Sequence, residues 1–405
     1  MSRWRNPFIL LGGIGISNVG AWVYLIALNL IILNETHSPL AVALLYILGP
    51  IATICSNTWA GSFIDRINTR RLMMGLDVFR AVCIAFIPIL PSLFFVYVLA
   101  FMINMGSAIF QPASMVYMTK LIPEKDRHRF NALRSFIDSS GSLLGPAIAG
   151  ILFWLGTPYT AIYVNAIALF FSALILMMLP NVDATRQGTE GQSVTWHLIK
   201  ADFQAVMHFS KHHTYVTKIY LLFIGTTIFM TAIDSLEAAF AKGVLSISDT
   251  HYGFLLSIFG TGIILGSILN SLFSKQLTVK FLIGMGTIFT TIGYLLFYSS
   301  SGFFSAALGI FLTGFSITFA NTGYLTFYQN HVPVTMMGRF GSVFSVVESI
   351  FIITLTILVG VAAEFTSIRS VGLIVSFAFF LLGVVAWRAV SSGKGDSSFS
   401  SIEQE

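Results

Sequence analysis

Twelve stretches of this chain are each apolar and long enough to cross a lipid bilayer, which leaves very few possible folds. A helix needs about 20 such residues to span the hydrocarbon. The runs are 8–33, 40–62, 72–90, 93–118, 131–156, 159–180, 216–241, 250–273, 279–300, 302–328, 339–363 and 367–390. Inside lipid every backbone N–H and C=O must find its partner within the protein, so each run is predicted to be an α-helix. A membrane β-barrel would show short alternating segments instead. Composition agrees: mean hydropathy is +0.84 and 10% of residues are charged, against about 25% in a soluble domain. The first run is too long for a cleavable signal peptide and lacks a small-residue cleavage site.

The chain is duplicated. Pro123 matches Pro333, Arg129-Phe130 matches Arg339-Phe340, and Ser135 matches Ser345. Asp138 matches Glu348, Ser139 matches Ser349, and Gly150 matches Gly360. Every pair is 210 positions apart, close to half of the 405 residues. The expected fold is twelve transmembrane helices in two pseudo-symmetric six-helix bundles, over 1–180 and 216–390. An acid at an equivalent place in each half of a duplicated membrane chain is a layout used by secondary transporters.

Charge then sets topology. Of the 22 Lys and Arg, Lys242 and Arg369 fall on one side and Arg80 lies within a helix. The remaining 19 gather on the other side, which places both termini in the cytoplasm. The net charge of +5 therefore serves orientation, and no nucleic-acid partner is expected. Between the halves, 181–215 opens with a linker composition, Asn-Val-Asp-Ala-Thr-Arg-Gln-Gly, and then turns amphipathic. Val194, Leu198, Phe203, Val206 and Phe209 can share one face of a helix on the inner membrane surface. The tail, 391–405, is Ser/Gly-rich and predicted to be disordered. Cys55 and Cys83 both fall in membrane runs, so no structural disulfide is expected.

Short motifs narrow the reading. Gly61-Ser62-Phe63-Ile64-Asp65-Arg66-Ile67-Asn68-Thr69-Arg70-Arg71 follows the second run. Gly61 permits close helix approach. Asp65 can meet a helix N-terminus of the other half, and Arg66, Arg70 and Arg71 face the cytoplasm and anionic lipid. This loop resembles the signature loop of the major facilitator superfamily, with Asn68 where that family usually has Gly. Asn tolerates left-handed backbone, so the turn is expected to survive. The corresponding second-half loop, Phe273-Ser274-Lys275-Gln276-Leu277, has lost the acid. In the fifth run, Gly141, Gly145, Pro146 and Gly150 resemble the fifth-helix motif of superfamily exporters, Gly-x-x-x-Gly-Pro-x-x-Gly-Gly, with Ala149 in place of one Gly. Small residues four apart form a groove for a neighbouring helix, and Pro146 kinks its own. Pro123-Glu124, Gln111-Pro112-Ala113 and Asn165-Ala166 look like the macrolide-efflux and siderophore-exporter branch. The resemblance implies the major facilitator fold, with an Asp65 loop that latches the halves on the inner side.

Ionisable groups inside a bundle are expensive and are functional candidates by default. Asp77 and Arg80, three apart, can pair on one helix face. They are expected near the cytoplasmic end as a gating pair. Asp138 and Glu348 enter eight or nine residues into their runs, about 12 Å from the inner surface at 1.5 Å per residue. Asp234 and Glu237 are expected on one face of the seventh helix, with Asp234 nearer the membrane centre. Two close carboxylates repel, so one of them is expected to carry a proton near neutral pH. Trp22, Tyr24 and Tyr324 are weak candidates to line a substrate cavity.

No Walker loop, Gly-x-Ser-x-Gly or zinc spacing appears. Enzymatic hydrolysis, ATP-driven transport, a cofactor and a metal are therefore not indicated. The reading is a proton-coupled efflux antiporter of amphipathic drug-like small molecules in the plasma membrane, expected as a monomer. Alternatives are a dedicated exporter of one peptide antibiotic or siderophore, an uptake symporter, and a non-transporting sensor or scaffold.

Overall fold

A computed structural model describes residues 4–57, 60, 64, 67–182, 196–273 and 276–392. Among them every regular element is a helix. The first half contains α1 (Arg5–Thr36), α2 (Pro39–Asn57), α3 (Thr69–Phe86), α4 (Leu93–Leu121), α5 (Glu124–Leu155) and α6 (Pro158–Met177). A surface helix follows, α7 (Trp196–His212). The second half contains α8 (Thr214–Asp234), α9 (Asp249–Leu272), α10 (Val279–Ser299), α11 (Phe303–His331), α12 (Val334–Phe365) and α13 (Ile368–Ser392). Eleven of these are long and apolar enough to span a bilayer. The twelfth, α5, opens with the charged run Glu-Lys-Asp-Arg-His-Arg and ends in the apolar stretch Leu144–Leu155. Large apolar side chains such as Phe94, Trp154, Phe304 and Phe365 lie exposed on the outside, where lipid would meet them.

The duplication is visible in the backbone. Helices α5 and α12 are both 32 residues long, and both ends are 210 positions apart. Pro123 (φ −57°, ψ 145°) and Pro333 (φ −57°, ψ 139°) cap them in the same conformation. Phe130 and Phe340 are buried at matching places. Both helices begin five to seven residues before the expected starts at 131 and 339, because a proline at the cap pre-sets the entry angle and polar residues tolerate the first turns. Asp138 and Glu348 therefore sit near the middle of their helices rather than close to one end.

Packing shows where the halves meet. Within the first half, α1 packs on α5 and α6, and α3 on α4 and α6; in the second, α11 packs on α9 and α10. The halves touch through α2 against α12 and α5 against α9. Buried apolar residues of both halves merge into one cluster, including Leu30, Val42, Val359 and Phe240, at the end away from the termini. Toward the termini the core splits. One cluster holds only first-half residues such as Leu10, Phe130 and Leu176, and another only residues of α7 and the second half, such as Ile219, Phe340 and Val390. The bundles are thus joined at the loop face opposite the termini. Helix α7 does not merely lie beside the bundles. Val206 and Phe209 are buried, and Phe209 meets Phe340 of α12 edge-on at 5.7 Å. Phe203 points outward.

Candidate functional site

Three groups of side chains matter: a closure at the loop face, a carboxylate pair beneath it, and a cavity in the first half.

The closure is polar at its rim and tight beneath. Ser38 Oγ donates to Glu364 Oε2 at 2.6 Å, and the Leu40 N–H reaches the same oxygen at 3.4 Å. Glu364 thereby caps the start of α2 from the opposite half, where an anion is favoured. Asn34 donates to Asp249, which also pairs with Lys242. Below the rim, α5 and α9 touch backbone to backbone: a Cβ on Gly253 would lie 2.6 Å from Gly150 Cα. The exporter-like motif is divided between two neighbours. Gly141 faces Asn18 and Gly145 faces Trp22 on α1, whereas Gly150 faces α9. Replacing Glu364 with alanine is expected to favour the open loop face about fivefold, the worth of one hydrogen bond of ~1 kcal/mol. Faster maleimide labelling of a cysteine placed at Ser38 would report it, and an unchanged labelling rate would remove Glu364 from the closure.

The carboxylate pair lies where the seventh membrane helix breaks. Asp234 is the last residue of α8, and Glu237 begins a short turn (Glu237–Ala239) that runs into a π-helical segment (Phe240–Val244). The backbone stays right-handed helical through Ser235 and Leu236, and one span runs Thr214–Val244, so the two acids remain about a turn apart across a loosened stretch. The break lies at Ser235-Leu236, where the Ile233 carbonyl accepts from the Leu236 N–H at 3.1 Å and from the Tyr298 hydroxyl at 2.7 Å. Tyr294 donates to Asp234 at 2.6 Å. Glu237 is 8% exposed; Tyr252 stands beside it, and its Oε1 has no hydrogen-bond partner. Tyr46 of the first half faces both acids. Tyr252 and Tyr298 stand at the loop-face ends of α9 and α10. That places the pair in the loop-side third of the bundle, not at the membrane centre as expected. Glu348 is nearer the middle, beside Thr227 and Tyr220. The Asp138 side chain lies outside the described residues.

A cavity of about 310 Å³ opens among α1, α2, α3, α4 and α6. Its polar lining includes Tyr24, Asn29, Tyr46, Arg80, Asn104 and Asn165. Arg80 and Asp77 do pair, but mid-helix, with Arg80 at the cavity wall rather than at the cytoplasmic end. Arg80 also donates to Ser107 at 3.2 Å and lies 4.7 Å above the Phe110 ring. Asp77 is fully buried and accepts from Ser172 at 2.8 Å. Of the weak cavity candidates, Tyr24 lines the wall. Trp22 packs on Gly145, and Tyr324 is buried against Phe223. Beyond Asn165 lies an apolar crevice of about 280 Å³.

At the termini end, Gly61, Asp65 and Arg66 lie outside the described residues. Arg70 donates to the Leu179 carbonyl past the end of α6, and Arg71 is exposed. Asn68 does not adopt the left-handed conformation expected of a glycine substitute. Its φ is −59°, and its side chain accepts from the Arg71 N–H as the N-cap of α3, a position that favours Asn.

Sequence reading did not single out Asn29, Tyr46, Asn104, Glu364 or Gly253. An asparagine inside an apolar run is the signal that would have found two of them.

The family model of the Major Facilitator Superfamily matches residues 10–237, more than half of the chain. The chain belongs to the Major Facilitator Superfamily. It is similar to the uncharacterized MFS-type transporter YfiS of Bacillus subtilis (strain 168), with 29% identity over 177 residues, 44% of this chain and 42% of that protein. It is also similar to the multidrug efflux pump Tap of Mycolicibacterium fortuitum, with 24% identity over 187 residues, 43% and 46% of the two chains. Each match spans less than half of the relative. Among solved structures, the nucleoside transporter NupG superposes with a TM-score of 0.72 at 14% identity, covering 96% of this chain and 100% of that one. An inward-facing bacterial homologue of the iron transporter ferroportin gives 0.70 at 17%, covering 97% and 100%. At these identities the likeness establishes the fold. The chain is a multi-pass membrane protein of a transporter superfamily, not an enzyme.

Proposed function

We propose that this protein is a secondary active exporter of amphipathic small molecules, driven by proton exchange and working by alternating access. The observation that carries the reading is a carboxylate pair, Glu237 buried and Asp234 half-buried, directly beneath the only end at which the described apolar cores of the two halves merge. Two adjacent carboxylates in a low-dielectric site cannot both stay ionised cheaply, so closing the loop face over them favours uptake of a proton. Opening the other end, or reopening this one, lets the proton leave. Protonation and conformation are thereby linked. The first-half cavity, with the apolar crevice behind it, suits a molecule with a polar head and an apolar body. Similarity to the efflux pump Tap supports efflux, and the distribution of Lys and Arg supports cytoplasmic termini in a plasma membrane. A monomer suffices, since both halves are in one chain.

The test is flux in proteoliposomes across an imposed pH gradient, over a panel of lipophilic compounds. At least one compound is expected to accumulate uphill, and a protonophore should abolish its accumulation. Reversed direction would identify an uptake symporter. Gradient-independent behaviour for every compound would favour a sensor or scaffold.

A further inference from the structure

Four buried polar atoms without a hydrogen-bond partner belong to residues lining the same cavity: Tyr24 Oη, Asn29 Oδ1, Arg80 Nε and Asn165 Oδ1. All four residues are at least nine-tenths buried, at 9%, 2%, 7% and 1% exposed. Orphaned buried polar atoms are rare in native proteins and each weakens the fold unless water or a ligand meets it. Their gathering around one cavity marks a place built to be filled.

We infer that this cavity is the recognition subsite for an uncharged polar head group that carries both hydrogen-bond donors and acceptors, such as a hydroxyl, carbamoyl or sugar. The inference rests on the transporter reading and specifies its substrate class. Chemistry of the wall decides the charge. Among the described residues, no carboxylate lines the cavity. An ammonium or quaternary cation entering it would lose its hydration and meet a guanidinium instead of a counter-ion. An anion would meet Arg80, but Asp77 already matches that charge from a fully buried position. The guanidinium is also held in place by Ser107 and Phe110. A neutral group leaves least hydration behind.

The orphans are complementary to such a head. Asn29 Oδ1 accepts, Arg80 Nε donates, and the Tyr24 hydroxyl does either, whereas Asn165 Oδ1 rests against Gly20 of α1. Asn29 is oriented by its own amide, which donates to the Tyr46 hydroxyl at 3.1 Å. Tyr46 in turn lies within electrostatic range of Asp234 and Glu237. The volume, about 310 Å³, is at the small end of ligand sites, roughly 300–1,000 Å³. It fits a head group rather than a whole drug-sized molecule.

Binding to the full chain in nanodiscs, without any gradient, tests this. The probes are octyl glucoside, uncharged, and tetraphenylphosphonium, a lipophilic cation. Octyl glucoside is expected to bind, and Tyr24→Phe to weaken it about 5- to 10-fold, the effect of losing one hydrogen bond. The same substitution removes an orphaned hydroxyl, so the thermal midpoint without ligand is expected to hold or rise. Asn29→Val is expected to weaken binding similarly; should it fail to fold, Tyr24→Phe alone carries the test. Unchanged octyl glucoside affinity in Tyr24→Phe would mean that water alone fills the cavity and would overturn the proposal. So would tighter binding of tetraphenylphosphonium with the same dependence on Tyr24. Because no gradient is present, failure of proton-driven flux leaves this result standing, and the reverse holds too.

Discussion

Gly253→Val is expected to stop transport by preventing closure of the loop face, lowering flux at least tenfold. The nearest atoms that a new Cβ would strike are all backbone: Gly150 Cα at 2.6 Å, Gly150 N at 2.7 Å and the Pro146 carbonyl at 3.3 Å. A flexible side chain could rotate away, but a helix cannot. Forcing extra carbons into such a contact costs ~1–3 kcal/mol, and about 1.4 kcal/mol is tenfold in an equilibrium. The strain exists only when α5 and α9 touch, so the open state is favoured and the cycle stalls. Helix α5 has little room to retreat, because Gly145 already rests on Trp22 and the Val19 carbonyl of α1. Gly75→Ala is the control, since a methyl group there would meet nothing within 4 Å. The measurements are flux and maleimide labelling of a loop-face cysteine. Wild-type flux with wild-type labelling would show that the α5–α9 contact is not part of the cycle.

This contact also shows what sequence can and cannot reveal. The small residues of α5 were legible because they form a motif within one segment. Gly253 was not, since its meaning depends on a residue about one hundred positions away in the other half. The same limit applies to Glu364, which caps α2 from α12. Apolar run length was enough to locate the membrane helices, because lipid admits no alternative backbone. The repeat was legible for the same reason, with Pro123 and Pro333 starting equal helices. Local detail was less secure. Asn68 suggested a permissive turn residue, yet it serves as a helix cap, another role for the same short amide side chain. The three-residue spacing of Asp234 and Glu237 was legible, whereas nothing local announces the break in hydrogen bonding at Ser235-Leu236. Tyrosines from other helices hold that break, and their convergence is a property of the fold alone.

The break changes which carboxyl is expected to carry the proton. Asp234 accepts a hydrogen bond from Tyr294, an arrangement that suits an ionised oxygen. Glu237 has one oxygen with no partner, which an ionised carboxylate tolerates poorly in a buried site. Glu237 is therefore the better carrier, and Asp234 the charge that makes sharing a proton necessary. Two ionised carboxyls close together in a site of low effective dielectric repel strongly. Glu237→Gln fixes the protonated form. It is expected to keep folding and downhill exchange while cutting pH-driven uphill export at least tenfold. Asp234→Asn removes the repelling charge and is expected to weaken coupling less, leaving Glu237 free to ionise at Tyr252. Comparing uphill and downhill flux across a range of pH in the two variants decides between the acids. Equal loss in both would mean that the pair titrates as one unit. Full uphill export in both would remove the pair from coupling and leave Glu348, with Asp138 at the matching place in the other half, as the carrier.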